Sequence, residues 1–173
     1  MSDKGAFSRV SALVSCRLRR LPPGLERSLF HENAQGLAFS PQKLANAHLP
    51  EPLLEFLLNL DAKLDLLLSL ASQRSIEQDF PIEGQAVELS AAGLSFISPE
   101  AFKTGQKVEI VLALSHAPLR MAGALGEITR AEQVGAERRY ELDFTSIKDR
   151  DREAIVQFVF QEERAKIRES KWP

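Results

Sequence analysis

The sequence predicts a mainly β domain with helical additions: a small barrel of about six short strands, a long helical insertion after the first strand, and a C-terminal helix. Three observations predict this. Apolar residues alternate with polar ones near the N-terminus and again through the second half of the chain. A leucine heptad lies between these two β regions. A stripe of helical period ends the chain.

The first strand begins at Val10. Ala12, Val14, Cys16 and Leu18 share one face, and Ser11, Ser15, Arg17 and Arg19 share the other. Cys16 therefore points inward, as a small core hydrophobe. Leu21 to Gly24, LPPG, ends the strand. Arg17, Arg19 and Arg20 are expected on a solvated edge or a partner patch.

Residues 21–78 are expected to form an inserted helical oligomerisation region. A first helix is expected to start near Ser40, with Pro41 at its first position. Beyond it, Leu53, Leu57, Leu60, Leu64, Leu67 and Ala71 follow the 4-3-4-3-4 spacing of a coiled-coil seam. Leu54, Leu58, Leu68, Phe56 and Leu70 widen the apolar face beyond what a two-stranded coil uses. Such a helix either packs on its own domain or zips with copies from other subunits. The regular heptads and the wide face favour assembly of three or more helices. Burying one leucine is worth roughly 1.5–3 kcal/mol, so an exposed row of them calls for a cover.

The rest of the chain returns to β. The stretch VELSAAGLSF, Val87 to Phe96, reads as strand, tight turn, strand. In KVEIVLAL, the residues Val108, Ile110, Leu112 and Leu114 share one face. Leu119 to Thr129 is a strand loosened by Gly123 and Gly126, Val134 to Glu137 is a turn, and Tyr140 to Phe144 alternates again. A final helix runs from Asp149 to about Glu169, with Asp149 as its cap and Asp151 in its first turn. Its expected stripe is Ile155, Val156, Val159, Phe160 and Ile167.

Composition narrows the function. Apolar residues make up 44% of the 173, enough for a real core, and the formal net charge is −2 with both signs mixed along the chain. There is no basic field to attract a nucleic-acid polymer. Cys16 is the single cysteine, which excludes an internal disulfide and fits a reducing compartment. No secretory signal and no membrane span are read, because the longest apolar run, Leu53 to Leu70, is broken by charged and polar residues. A cytoplasmic protein is expected. His31, His48 and His116 are scattered without metal-ligand spacing, and the common phosphate-loop, nucleophile-elbow and zinc-helix motifs are missing. No metal, no cofactor and no catalysis are therefore expected. Asp61 and Asp65 are expected to solubilise the leucine helix.

These segments resemble a known family. SRVSALVSCRL (Ser8 to Leu18), ELSAAGLSF (Glu88 to Phe96) and YELDFTSIKDRDREAIVQFVF (Tyr140 to Phe160) are similar to the first strand, the signature loop, and the last strand and helix of the PilZ domain. The likeness covers about residues 5–20 and 79–168, leaving the helical region as an insertion. The domain division is thus 1–20 with 79–173 for the PilZ-like barrel and helix, and 21–78 for the insert. The resemblance extends to an atypical subgroup whose inserted heptad helices make tetramers.

The resemblance implies a six-stranded barrel in bacterial cyclic di-GMP signalling, acting in motility, type IV pilus function, adhesion or virulence through a protein partner still to be identified. In typical members an R-x-x-x-R segment and a [D/N]-x-S-x-x-G loop hold the dinucleotide. Guanidinium groups suit phosphate and guanine edges. In this sequence Arg9 matches the second arginine, and Gly5 stands where the first would be. Ser90 and Gly93 match the loop, and Glu88 takes the Asp/Asn place with one methylene more. Two departures, each worth about 1.5–3 kcal/mol, would weaken binding by powers of ten. The expectation is a regulatory adaptor with a degenerate nucleotide site. The alternative is a working cyclic di-GMP receptor built on Arg9, Glu88, Ser90 and Gly93.

Overall fold

The computed structural model describes residues 7–24, 26–30, 48–116 and 119–171. The expected helix start at Ser40 and Pro41, and His31, lie outside them. Strand β1 (Val10–Arg20) is followed by helix α1 (Glu51–Asp79). Then come β2 (Ile82–Leu89), β3 (Gly93–Ile97), β4 (Lys107–His116), β5 (Leu119–Val134), β6 (Glu137–Ile147) and helix α2 (Asp149–Lys171). All six strands pair antiparallel and close a barrel in the order β1-β2-β3-β6-β5-β4.

The barrel's interior follows from alternation. Val10, Val14, Cys16 and Leu18 point in from β1, and Val108, Ile110 and Leu112 from β4, where they meet Phe96, Ile128, Tyr140 and Leu142. Burial pushes the Cys16 thiol up to about 12, so it stays protonated and unreactive, as a core hydrophobe should. The ring of Tyr140 packs against Phe96 and Phe102, while its hydroxyl donates to the Glu100 carbonyl at 2.9 Å.

Helix α2 plugs the barrel. Its buried residues are Asp151, Ile155 and Val159, with Ala154 and Phe158 half-buried beside them. The expected stripe is corrected here: Val156, Phe160 and Ile167 are exposed. Residues 155, 156, 159 and 160 form one continuous patch on a helix, and the barrel takes only one side of it. The Phe160 ring instead carries the Arg164 guanidinium, 5.0 Å from its centre.

Helix α1 has no buried residue. It begins just after Pro50, with Pro52 in its first turn, where a missing N–H costs nothing. Leu53, Leu60, Leu64 and Leu67 are 42–62% exposed, so the helix is not a core helix of its own barrel. Its last turns touch the barrel. Ile76 packs on a small outer cluster of Phe30, Phe80, Val111 and Met121, and Leu119 joins it.

Residues 26–30 are not helical, contrary to the expectation for that stretch. They cross the outer face of β4 and are held there by Glu109, which is fully buried. Its carboxylate accepts from Arg19 Nε at 2.6 Å, Ser28 Oγ at 2.6 Å, Leu29 N at 3.1 Å and Phe30 N at 3.0 Å. Phe30 lies where a side chain on Gly123 would stand, which explains that glycine in β5.

Candidate functional site

Strand order brings together residues that are far apart in sequence. Glu88 sits near the end of β2, beside a bulge that falls between Ala86 and Glu88 in the pairing with β3. Bulges re-aim side chains, and here the carboxylate reaches across the outer surface. Its Oε2 accepts from Ser95 Oγ of β3 at 3.2 Å. The same oxygen meets Arg139 Nη2 of β6 at 3.0 Å and Arg9 Nη1, just before β1, at 3.4 Å. Three elements thus converge on one carboxylate oxygen.

Of the expected site residues, Arg9 and Glu88 are brought into contact with each other. Ser90 and Gly93 form the adjoining turn. Ser90 Oγ donates to the Gly93 carbonyl at 3.0 Å, and Ser90 N donates to the same oxygen at 2.9 Å. Ala92 N donates back to Ser90 Oγ at 3.3 Å. Ser90 is buried, and its hydroxyl closes a local hydrogen-bonded turn. A Cβ on Gly93 would overlap the Leu142 carbonyl oxygen, so the close β3–β6 approach requires glycine there. The turn's geometry accounts for both residues.

Arg139 and Ser95 were not among the expected site residues. Arg139 faces Ile97 in the β3–β6 ladder, a juxtaposition created by barrel closure. The available signal was weak: Arg138 and Arg139 form a basic pair at the start of a strand.

The β1 arginines, expected on a solvated edge or a partner patch, are each engaged. Arg17 pairs with Glu83 at 2.8 Å and with Glu77 of α1 at 3.6 Å. Arg19 binds the buried Glu109. Arg20 meets Glu100 at 3.1 Å and lies over the Phe102 ring, 5.2 Å from its centre. Arg19 is thereby taken off the solvated edge, whereas Arg17 and Arg20 pair with exposed carboxylates on the barrel's outer face and at the base of α1.

Between that face and α1 runs a groove of about 380 Å³, lined by Ser69, Gln73 and Ile76 of the helix and by Arg17, Val111 and Met121 of the barrel. Among the described residues, no group of three or more His, Cys, Asp or Glu could hold a metal ion, and no helix is long and apolar enough to cross a membrane.

The described residues thus form a closed antiparallel barrel plugged by its C-terminal helix, with an arginine–carboxylate cluster beside the β2–β3 turn. The chain belongs to the PilZ domain family: the family's model matches residues 57–161, more than half of the chain. PilZ domains are generally non-enzymatic regulatory domains of cyclic di-GMP signalling, as adaptors or receptors. The match starts inside α1 and leaves out β1, whose place in the barrel rests on its pairing with β2 and β4.

Two solved structures share the fold. A tetrameric PilZ-domain protein of Xanthomonas campestris, described as self-assembled through an unusual helical bundle, aligns with TM-score 0.56 and 17% identity. The alignment covers 94% of this chain and 92% of that one. The inhibitor of motility of Bacillus subtilis aligns with TM-score 0.55 and 11% identity over 94% of this chain, which spans only 52% of that protein. The PilZ domain of YcgR from Escherichia coli, solved with c-di-GMP, aligns with TM-score 0.43 and 10% identity over 53% of this chain and 79% of that one. No curated protein matches the sequence.

Proposed function

We propose that this chain is a non-enzymatic PilZ-type adaptor that self-assembles through α1, as a tetramer, and works by protein–protein contact without itself holding the dinucleotide. The observation that carries the reading is α1: 29 residues, none of them buried, with a heptad seam of leucines. The direction of that seam adds support. At about 100° per residue, Leu64, Leu67 and Ala71 lie about 180° around the helix from Ser69, Gln73 and Ile76, which face the barrel. The chain's own barrel is therefore on the wrong side to cover the leucines. Other copies of α1 present the complementary apolar surface, and the broad face suits more than two helices. The Xanthomonas protein, self-assembled through a helical bundle, offers a precedent on the same fold.

Two features support a nucleotide site that has lost its ligand. The chain has Gly5 in place of the first arginine. Arg9 is engaged by Glu88, which Arg139 also holds. On this reading the protein acts in the bacterial cytoplasm, in motility, adhesion or virulence, by presenting its barrels to a protein partner.

Two measurements test it. Light scattering on the full chain is expected to give four times the protomer mass, and a monomer would sink the assembly. Calorimetric titration with cyclic di-GMP is expected to give no heat. A micromolar or tighter site would instead establish a receptor at Arg9 and the Glu88–Gly93 loop.

A further inference from the structure

One feature of the Arg9–Glu88–Arg139 cluster exceeds what a surface ion pair explains. Two guanidinium groups and the Ser95 hydroxyl all point at the single oxygen Oε2 of Glu88. The Glu88 side chain is 31% exposed, and the arginines are 44% and 36% exposed. An exposed ion pair between two long side chains contributes little stability. Two arginines aimed at one point also repel each other unless an anion stands between them. The cluster thus carries two positive charges around one anionic oxygen, with a neutral donor completing the set. Guanidinium forks and a hydroxyl are the donors that bind a phosphate oxygen as readily as a carboxylate oxygen.

We propose that Arg9, Arg139 and Ser95 form a phosphate-binding cluster that Glu88 keeps closed, its carboxylate occupying the place of a phosphate oxygen. This deepens the reading of an adaptor that does not hold the dinucleotide, and rests on it. A phosphodiester carries one negative charge, the same as the carboxylate, so it gains nothing in charge by displacing Glu88. The carboxylate is tethered to the strand beside the site and competes as though present at about millimolar concentration or above. Removing it takes away the carboxylate oxygen that the two guanidinium groups share. Arg139 thereby supplies a second arginine to Arg9, from β6 rather than from the segment before β1.

The test uses the full chain in four forms: wild type, Glu88→Ala, Glu88→Gln, and Glu88→Ala/Arg139→Ala. Each is titrated by calorimetry with cyclic di-GMP and, separately, with inorganic phosphate, after its melting curve has been checked against wild type. Glu88→Gln keeps the side chain's size without its charge, so it serves if the alanine variant folds poorly. The wild type is expected to be silent with both titrants. Glu88→Ala and Glu88→Gln are expected to bind at least about tenfold more tightly than the wild-type limit, and the added Arg139→Ala to remove that gain. Binding of cyclic di-GMP alone assigns the site to the dinucleotide, and binding of both titrants assigns it to phosphate in general. Silence of both single variants overturns the gate but leaves the adaptor reading standing. Wild-type binding as tight as the variants' overturns both. A gain that survives Arg139→Ala removes Arg139 from the site and overturns the cluster as proposed.

Discussion

Helix α2 lays Asp151, Ile155 and Val159 against the barrel, while α1, the longer of the two, has no fully buried residue. Both carry enough apolar residues to be core helices. The difference lies in how each leaves the barrel. Helix α2 starts directly after β6, so its first turns stand over the barrel and one side of its apolar patch, Ile155 and Val159, is covered there. Helix α1 meets the barrel toward its end, through Ile76 and Glu77, and its seam points the other way. Apolar content sets how much surface a helix must bury, and its attachment sets whether the cover comes from the same chain.

The sharpest way to break this comparison is to place charges on each helix. Leu60→Asp/Leu64→Asp is expected to reduce the assembly to a monomer by light scattering, with the barrel still folded by near-ultraviolet circular dichroism. Ile155→Asp is expected to do the reverse, unfolding the barrel, because a buried unpaired carboxylate has no partner there. If the α1 variant unfolded the monomer as well, the two helices would not differ in kind.

The next effect concerns the point where the insert is fastened. Glu109→Ala leaves Arg19 without its buried partner and strips acceptors from Ser28, Leu29 N and Phe30 N. Breaking such a pair from one side costs about 3–5 kcal/mol. Denaturant melts should show a loss of that size. A change within about 0.5 kcal/mol, as for an ordinary surface substitution, would mean that residues 26–30 are not held by this carboxylate.

Much of this architecture was legible in the sequence, because period-two alternation in β1, β4 and β6 and the heptad in α1 are local signals. The residues that local patterns do not place are set by distant contacts. Glu109 alternates outward with Val108 and Ile110 inward, so a strand pattern puts it in water. It is buried because residues 26–30 fold across it. Arg19 changes role for the same reason. In α2, both Ile155/Val159 and Val156/Phe160 satisfy a helical stripe, and only the barrel's position selects the first. The site divides likewise. Ser90 and Gly93 were visible because they build a local turn, whereas Arg139 reaches Glu88 only through barrel closure.

The smallest effect tests how α2 sits in the barrel. Asp151 is buried in its first turn, and loss of hydration pushes its carboxyl above the usual carboxylate range. Lys148, Arg150 and the backbone at Gly123 pull the other way without cancelling that rise. A group whose folded pKa is raised contributes stability below its unfolded pKa and loses it as pH climbs through the folded value. Ionised Asp151 therefore weighs against the folded state at neutral pH. Asp151→Asn keeps an oxygen for the backbone at Gly123 and carries no charge. It should gain modestly over wild type as pH rises from the acid limb through the carboxylate range, and the gain should level off above it. Thermal melts of the two proteins across that range measure the difference. A variant that loses stability at neutral pH would show that the charge on Asp151, through Lys148 and Arg150, helps to seat α2, and that this helix is fastened electrostatically as well as by Ile155 and Val159.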